Sequence, residues 1–429
     1  MPTARELATT TLGQILDDGG YNNIVLNKNL NKYDKISPTD RAMVTELVNG
    51  TLRNLILIDH IIASHSKTPV KKPFIQSVLR ISVYQIMFMD KVPDRAVCDE
   101  AVKLTKAKGL VGLSGYVNGV LRNVVRGKES VELPDRVKDL AQHLSVKYSH
   151  PKWIVEYFLS FMDSESVESI CEGGNAVPSM TICINTVKTD TDELRSLLEA
   201  EGVEVHNTDS PNALRIKGAG DVRSLKSFKN GLYHAMDINA MKAIELIKPE
   251  QKEKVLDLCA SPGGKSFYAA QLMNGEGEVL SLDIHEHKMG LIKEGAKRLG
   301  LTIVRAEQND ATVFNPKYED TWDKVILDAP CSGLGVLSKK PDARYKKSMD
   351  DIKELASIQR RMLEVSAKYP KIGGELLYST CTISVLENDD NIKWFLANFP
   401  YEVRSELKTL PNAESGGDGF YAVCMVRKE

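Results

Sequence analysis

The spacing of apolar residues divides the chain into an N-terminal helical region and a C-terminal region where strands and helices alternate. Residues 3–127 repeat their apolar positions at helical spacing, and short loops containing Pro or Gly separate the segments. The segment Pro73–Met89 has proline in its first turn and is apolar on most sides, so we predict a central buried helix there. The pattern indicates an all-helical bundle, which on this ground alone could serve for packing or dimerisation.

A small mixed unit is predicted between this bundle and the C-terminal region. Residues 128–150 are polar with a proline, which indicates a linker and one helix. From 151 to 250 the pattern is typical of a small α+β unit, because residues 180–185 alternate like a strand and Thr189–Gly202 has helical spacing. Two further short strands, V-E-V-H and A-L-R-I-K, follow this helix.

From residue 253 onward, short apolar runs alternate with helical segments, which predicts an α/β domain built on a parallel sheet. We expect strands near 254–259, 278–283, 302–306, 324–328 and 374–379. We expect helices near 265–273, 285–299, 352–368 and 384–398. Because open α/β sheets bind ligands at the carboxyl ends of their strands, the functional residues should lie along that edge.

The stretch V-L-D-L-C-A-S-P-G-G-K-S, residues 255–266, predicts a strand, a glycine turn and the start of a helix, where free N–H groups favour a polar ligand. A Walker A loop is disfavoured because Cys259 stands five positions before Gly264, where that loop has glycine, and the pattern G-x-G-x-x-G is absent. An S-adenosylmethionine loop fits better, since Asp283 ends the next strand and its carboxylate can accept two ribose hydroxyls. A turn that binds nothing is the remaining interpretation.

Composition narrows the class of protein without indicating a ligand. A chain of 429 residues should form about two or three domains, and its 42% hydrophobic and 27% charged residues are typical of globular proteins. The net charge of −2 does not indicate a nucleic-acid binder, so local basic clusters would have to do so. Seven scattered cysteines without a C-x-x-C pair argue against disulfides and zinc. With no membrane-length apolar run and no signal peptide, we expect a cytoplasmic protein that uses neither membrane nor metal.

Two cysteines just past predicted strand ends are candidate chemical groups. Cys331 follows the apolar run that ends in Asp328-Ala-Pro, and Cys381 follows L-L-Y-S-T at 376–380. Such thiols are either nucleophiles or small buried apolar residues. A pyrimidine gives both thiols a use: one adds to carbon 6 and activates carbon 5, and a second group later removes the carbon 5 proton so that the first can leave.

Two charged residues at the same edge would support this chemistry. Asp328 could hold the pyrimidine at N3 and at the exocyclic amine while charge develops on the ring. A thiol becomes a thiolate more easily beside a cation, and Lys265 could supply that cation. Alternatively, Lys265 is simply the first exposed residue of its helix.

The motifs D-L-C-A-S-P-G-G-K-S, L-D-A-P-C-S-G and Y-S-T-C-T together resemble those of the RNA 5-methylcytosine methyltransferases, and G-D-G-F-Y-A-V at 417–423 is similar to their last strands. The resemblance implies a Rossmann-like fold, S-adenosyl-L-methionine as cofactor, Cys381 as nucleophile and Cys331 as the cysteine that assists product release. The implied cofactor contacts are Cys259, Ala260, Ser261, Pro262, Gly263, Gly264, Lys265, Asp283, Asp310 and Asp328.

The N-terminal region carries a second resemblance. L-R-I-S-V-Y-Q-I-M-F-M-D-K-V-P at 79–93 and G-Y-V-N-G-V-L-R-N at 115–123 resemble the NusB domain, an RNA-binding helical fold. Candidate phosphate contacts there are Lys71, Lys72, Arg80, Arg122, Arg126 and Lys128.

With both resemblances, the chain is similar to the RsmB (Sun/Fmu) family, bacterial 16S rRNA cytosine-C5 methyltransferases. The implied domains are a NusB-like all-α bundle at 1–130, a linker and small α+β RNA-binding domain at 131–250, and an α/β methyltransferase domain at 251–429. The implied substrate is 16S rRNA, unassembled or in a partly assembled small subunit, and we expect a monomer. The chain departs from the family pattern at Leu334, Met236 and Cys183, which bears on substrate fit.

A basic loop lies between the two candidate cysteines in the sequence. The loop K-K-P-D-A-R-Y-K-K, residues 339–347, has net positive charge and one tyrosine, which favours phosphate contacts and base stacking on looped RNA.

One rival function is that of a non-catalytic RNA-binding assembly factor on the same fold, and the presence of both thiols and Asp328 argues against it. The other is a P-loop NTPase, which Cys259 opposes.

Overall fold

The computed structural model describes residues 2–33, 36–66, 68, 71–413 and 417–429. It divides the chain into two compact units. The first unit comprises Met1–Ala176, Leu337–Lys346 and Asn412–Ser415, and the second comprises Val177–Val336, Lys347–Pro411 and Gly416–Glu429. In the described part of the chain, no helix combines the length and apolarity needed to cross a membrane.

The first unit is helical throughout its described regular structure. Its α-helices are α1 Ala4–Leu16, α2 Asn22–Asn31, α3 Pro38–Arg53, α4 Leu55–Ser64, α5 Pro73–Phe88, α6 Asp94–Ala107, α7 Ser114–Gly127, α8 Leu140–Tyr148, α9 Lys152–Leu159 and α10 Ser164–Gly173. Helix α5 has Pro73 in its first turn and packs against α1, α3, α4, α6 and α7. Its apolar residues Ile75, Val78 and Val83 are almost wholly buried, so the predicted central helix is confirmed.

Helices α8, α9 and α10 extend this unit beyond the predicted bundle. They pack on one another, and α8 also packs on α4. The sequence pattern predicts one helix at 128–150, which is α8, and a mixed α+β unit from residue 151. In the structure, residues 152–173 form α9 and α10 and the turn between them, and they belong to the first unit, whereas the first strand begins at Met180.

The segment Leu337–Lys346 also belongs to the first unit, and Arg344 is its anchor. The Arg344 guanidinium is fully buried and donates to the carbonyl oxygens of Ser149 (3.0 Å) and Gly174 (2.8 Å) and to Oδ1 of Asn175 (2.8 Å). The Tyr345 hydroxyl lies 3.0 Å from the Ser149 carbonyl oxygen. The prediction that this loop contacts RNA is therefore wrong for Arg344, because its donors are sealed inside the fold.

The second unit begins with a small antiparallel sheet. Its strands are β1 Met180–Ile184, β2 Glu204–Asn207, β3 Ala213–Lys217 and β4 Tyr233–Ala235, in the order β2-β3-β1-β4. Helices α11 Thr191–Ala200 and α12 Lys226–Lys229 accompany the sheet. Ile182, Leu198 and Leu214 are fully buried in its core, which confirms the strands and the helix expected between 180 and 217.

The rest of the second unit is a mixed sheet covered by helices on both faces. Its strands are β5 Lys254–Asp257, β6 Glu278–Asp283, β7 Val304–Gln308, β8 Trp322–Asp328, β9 Pro370–Thr380, β10 Tyr401–Thr409 and β11 Phe420–Arg427. Its helices are α13 Ile238–Ile247, α14 Gly264–Leu272, α15 Glu286–Leu299, α16 Met349–Ser366 and α17 Asp389–Asn398. The predicted strands form the parallel part, β7-β6-β5-β8-β9. Strand β11 then pairs antiparallel with β9, and β10 pairs antiparallel with β11 at the edge of the sheet.

Side chains of the central strands alternate between two cores. Val255, Ile326 and Leu377 face the core that includes α13, α14 and α15, whereas Leu256 and Val325 face the core that includes α16 and α17. The chain builds β5, β6 and β7 in one direction and then returns to place β8 on the other side of β5. This reversal opens a crevice at the carboxyl ends of β5 and β8, where open α/β sheets bind their ligands.

We predict that Arg344→Met destabilises the protein by about 3 kcal/mol or more, because the buried carbonyl groups that Arg344 bonds would lose their donor. Urea unfolding of the full-length chain measures the change. Arg95→Met is the matched control, since the Arg95 side chain is 94% exposed and its loss should cost about 0.5 kcal/mol or less. Equal stability of the two variants would contradict the anchoring role.

Candidate active site

The loop between β5 and α14 lies at the crevice and is shaped by glycine. Gly263 has φ +113°, and a Cβ there would lie 2.3 Å from the ring of Phe267, so only glycine fits without a shift. The Ala260 amide donates to the Leu282 carbonyl oxygen (2.8 Å), which ties the loop to the end of β6. A Cβ on Gly264 would meet only Met236, at 3.9 Å, so the start of α14 has open space beside it.

Two aspartates stand at the neighbouring strand ends. Asp283 is the last residue of β6, and its Oδ1 accepts from the His285 amide (3.1 Å) and lies 3.4 Å from Nζ of Lys288. Asp310 follows β7, and its Oδ1 accepts from the amide and the hydroxyl of Thr312 (2.8 and 2.7 Å). Among the described residues, none donates a hydrogen bond to Oδ2 of either aspartate, so each keeps an acceptor for a ligand.

These groups fit S-adenosylmethionine better than a nucleoside triphosphate. The glycine loop leaves open backbone beside α14, which can hold the amino-acid end of the cofactor. The carboxylate at the end of β6 can accept the ribose hydroxyls. The lysine that a P-loop would direct at phosphates is Lys265, and here its Nζ lies 2.7 Å from Oδ2 of Asp328. Residues 259–265, Asp283 and Asp310 would hold the cofactor.

The pair of Lys265 and Asp328 joins α14 to the end of β8. The Lys265 side chain is only 13% exposed, so the alternative that it is merely an exposed first-turn residue is wrong. Asp328 also accepts from the Ser379 hydroxyl (2.8 Å), its register partner on β9. Burial alone would lower the pKa of Lys265, but the Asp328 carboxylate outweighs burial and raises that pKa, so the ammonium persists.

The two candidate thiols meet at the same edge. Sγ of Cys331 lies 3.1 Å from Sγ of Cys381, and both cysteines are outside any disulfide and partly exposed. Cys98, Cys171, Cys183 and Cys424 are buried, so the interpretation as small apolar core residues fits those four and not this pair. The hydrogen bond with Cys381, followed by burial, raises the pKa of Cys331 well above its ordinary value, so Cys331 stays a thiol at neutral pH.

The loop after Cys331 is pressed against β9 and the start of β11 by two glycines. The Gly335 amide donates to the Cys381 carbonyl oxygen (3.1 Å), and the Gly419 amide donates to the Gly335 carbonyl oxygen (2.8 Å). A Cβ on Gly335 would overlap the Gly419 carbonyl group. Phe420 comes next, with its ring centroid 5.6 Å from Nζ of Lys265. Sequence reasoning did not single out Phe420, although its motif marks the strand that carries it.

Asp257 is a second residue that sequence reasoning missed. It is fully buried at the end of β5 and accepts from the Ser266 hydroxyl (2.7 Å), which in turn accepts from Ser281 (2.8 Å). Burial raises the pKa of Asp257 to about 7, although the Ser266 bond opposes the rise. An aspartate inside the apolar run V-L-D-L was the available signal for such a site.

The six candidate phosphate contacts of the first unit are not equivalent. Arg80 donates to both carboxylate oxygens of Asp59 (2.7 and 2.8 Å), and Lys128 donates to Asp94 (3.0 Å). The other four side chains are exposed: Lys71, Lys72, Arg122 and Arg126. RNA contact by these residues stays a prediction, and it suits the exposed four better than the two paired residues.

Family models match most of the chain. Residues 244–423 match the model of 16S rRNA methyltransferase RsmB/F, residues 2–126 match the NusB family, and residues 150–223 match the RsmF/B-like ferredoxin-like domain. The chain is 38% identical over 447 aligned residues to the probable ribosomal RNA small subunit methyltransferase B of Bacillus subtilis, covering 100% of this chain and 99% of that protein. It is 32% identical to ribosomal RNA small subunit methyltransferase B of Proteus mirabilis, covering 98% and 97%.

Solved structures share the fold. The crystal structure of PH0851 is similar over 100% of this chain and 99% of that one, with a TM-score of 0.82 and 25% identity. The structure of NSun6 from Pyrococcus horikoshii with SFG is similar over 65% of this chain and 98% of that one, with a TM-score of 0.58 and 19% identity. These matches confirm the fold class, and the family to which the chain belongs confirms the S-adenosylmethionine dependence that the sequence motifs imply.

We predict that the stability of the Asp257→Asn variant relative to the wild type increases as pH rises. The folded protein holds the Asp257 proton up to a pKa of about 7, whereas the unfolded chain releases it near the ordinary value of about 4. The stability that the wild type gains from protonated Asp257 is therefore fully present below pH of about 4 and is lost as pH rises through about 7. Urea unfolding between pH 5 and 8 should show a relative gain on the order of 1–4 kcal/mol.

Asp323→Asn is the control with the opposite sign. Burial would raise the pKa of Asp323, but the bonds from Lys371 and from the Lys254 amide, together with the charges of Lys371 and Lys324, outweigh burial and hold the pKa below its ordinary value. Its carboxylate therefore stabilises the fold above the ordinary pKa, and its loss should not produce a relative gain at high pH. Parallel pH profiles for both variants would contradict the assignment to Asp257.

Proposed function

We propose, from the premise that this chain belongs to the ribosomal RNA small subunit methyltransferase B family, that it methylates carbon 5 of a cytosine in 16S rRNA. The chain is an rRNA methyltransferase that depends on S-adenosylmethionine. The observation that supports the finer proposal is the pair of thiols 3.1 Å apart beside Lys265 and Asp328. Methylation of a ring nitrogen or a ribose hydroxyl would need no such pair.

In the proposed mechanism Cys381 is the nucleophile. Its thiolate adds to carbon 6, the carbon 5–carbon 6 π electrons become available at carbon 5, and N3 takes up a proton from solvent. Asp328 accepts hydrogen bonds from the protonated N3 and from the exocyclic amine, and the Lys265 ammonium favours the thiolate form of a nearby thiol. Bound S-adenosylmethionine supplies the methyl group as part of a sulfonium ion.

Cys331 acts after carbon 5 has gained its methyl group. Once the Cys381 sulfur is bonded to carbon 6, it carries no thiolate charge, which removes one of the causes that raise the pKa of Cys331. The Cys331 proton then passes to solvent. The Cys331 thiolate then takes the carbon 5 proton, and the electrons of that C–H bond restore the double bond and expel the Cys381 thiolate. N3 returns its proton to solvent, and the two sulfurs regain their starting states.

The proposed reaction also bears on the substrate and on the state of the protein. The target base must leave its stack to reach Cys381, as in other enzymes that act on a base carbon. We infer a monomer that acts in the cytoplasm, where its ribosomal substrate is made. The rival function, an assembly factor that binds RNA without catalysis, leaves the thiol pair without a use.

We predict that Cys381→Ala lowers methyl transfer at least about 1,000-fold because no other group can form the bond to carbon 6. Transfer of labelled methyl groups to 16S rRNA, with 5-methylcytosine identified by mass spectrometry, measures the loss, and cofactor binding should persist in calorimetry. Cys424→Ala, at a buried cysteine on β11, is the matched control and should remain active. An active Cys381→Ala variant would exclude the nucleophile role, and an inactive wild type would favour the assembly factor.

We predict that Cys331→Ala accumulates a covalent enzyme–RNA complex, because the methylated base would keep its carbon 5 proton and could not expel Cys381. The complex should survive denaturing gel electrophoresis and disappear in the double variant Cys331→Ala, Cys381→Ala. A Cys331→Ala enzyme that turns over at the wild-type rate without a trapped complex would exclude the release role. Bisulfite mapping of 16S rRNA treated with the wild-type enzyme would identify the target cytosine.

A further inference from the structure

A fully buried glutamate lies beneath the two thiols. Glu387 stands between β9 and α17 and is 0% exposed. Its Oε1 accepts from the Ser332 amide (2.8 Å) and from Nε2 of Gln359 (3.0 Å), and its Oε2 accepts from the Ser332 hydroxyl (2.5 Å). The short bond from a hydroxyl is typical of a charge-assisted hydrogen bond.

These bonds reach both cysteines through the residues that follow them. Ser332 follows Cys331, Thr382 follows Cys381, and their hydroxyl oxygens lie 2.8 Å apart. Because the Ser332 hydroxyl donates to Glu387, the Thr382 hydroxyl must donate to Ser332. A single chain of hydrogen bonds therefore runs from the Cys381 loop through the Cys331 loop to one carboxylate.

The residues that precede the cysteines are held by the same cluster. Nε2 of Gln359 also donates to the carbonyl oxygen of Pro330, which precedes Cys331 (2.9 Å). Asn388, next to Glu387, accepts from the hydroxyl of Thr380, which precedes Cys381 (2.7 Å). The backbone is thus fixed on both sides of each sulfur-bearing residue.

The burial of Glu387 is unfavourable in free energy for a residue whose only role would be packing. Burying a carboxylate costs several kcal/mol unless hydrogen bonds compensate, and an apolar side chain would pack there without that cost. What the carboxylate adds is direction, since its two oxygens accept from three donors at fixed points, two on Ser332 and one on Gln359 of α16. Groups that must act in turn on adjacent ring atoms need such fixation, because a displacement of about 1 Å can cost about 100-fold in rate.

We propose that Glu387 is a positioning residue that holds the Sγ atoms of Cys331 and Cys381 together for successive use on one pyrimidine ring. It does so through Ser332 and Thr382, and it touches neither the base nor the cofactor. This role rests on the proposed function, but the geometry it maintains can be measured without RNA.

The test compares Glu387→Gln with Glu375→Gln. An amide at 387 keeps the shape but turns an NH₂ group toward a donor, so the cluster loses a bond. Glu375 is the matched control because it is another buried glutamate, in the middle of β9, where it pairs with Lys324 and Arg404. Both variants should lose stability, whereas only the 387 variant should disturb the thiols.

The direct measurement is disulfide formation between Cys331 and Cys381 in the full-length protein. The oxidant diamide takes up the two thiol hydrogens as the S–S bond forms, and peptide mass spectrometry follows the cross-link with time. We expect Glu387→Gln to slow this reaction about 10-fold or more and to lower kcat by at least as much, with KM for S-adenosylmethionine within about twofold. Glu375→Gln should cross-link at the wild-type rate.

A second pair of variants covers the case in which Glu387→Gln fails to fold. Thr382→Val keeps the shape of threonine without its hydroxyl, and Thr382→Ser keeps the hydroxyl, so Val should slow cross-linking far more than Ser. Equal rates in both pairs would overturn the positioning role. If cross-linking behaves as expected but the wild type makes no 5-methylcytosine, the proposed function fails while the role of Glu387 in holding the thiols stands.

Discussion

The parallel register of β5, β8 and β9 is the constraint on which the candidate site depends. In this register Asp328 lies opposite Ser379, so the ends of β8 and β9 are level and the loops that carry Cys331 and Cys381 start side by side. A slip of one residue would turn Asp328 to the opposite face of the sheet and away from Lys265. The apolar residues of these strands, buried on both faces, fix the register and thereby bring the sulfur atoms together.

Three acidic groups near the crevice have different partners. Asp328 pairs with the Lys265 ammonium, and Glu387 accepts only from neutral donors among the contacts described above. Asp257 accepts from one hydroxyl, that of Ser266, and is fully buried, and burial raises its pKa to about 7. Spacing along the chain could not reveal these differences, because each depends on side chains contributed by other strands and helices.

The sequence allowed much of the fold to be predicted, and part of the site. Apolar periodicity located α5, the strands of the parallel sheet and the helices between them, because burial on a sheet face or helix stripe leaves a local pattern. Lys265, Asp328, Cys331 and Cys381 were found because each stands at a strand end or in a glycine turn. Glu387 was missed because its partner Ser332 is 55 positions away. The loop around Arg344 was misread because a basic residue has the same local appearance on a surface and in a buried cluster.

The assignment of Leu337–Lys346 to the first unit has a consequence for the order in which the protein can be completed. The acceptors of Arg344 lie near residues 149 and 174, but the arginine itself emerges from the ribosome about 170 positions later. At an elongation rate of about 5–20 residues per second, the N-terminal helices must wait roughly ten seconds or more for this buried arginine. A fragment that ends at residue 176 would therefore lack the segment with Arg344, so contiguous truncation is a poor way to isolate this unit.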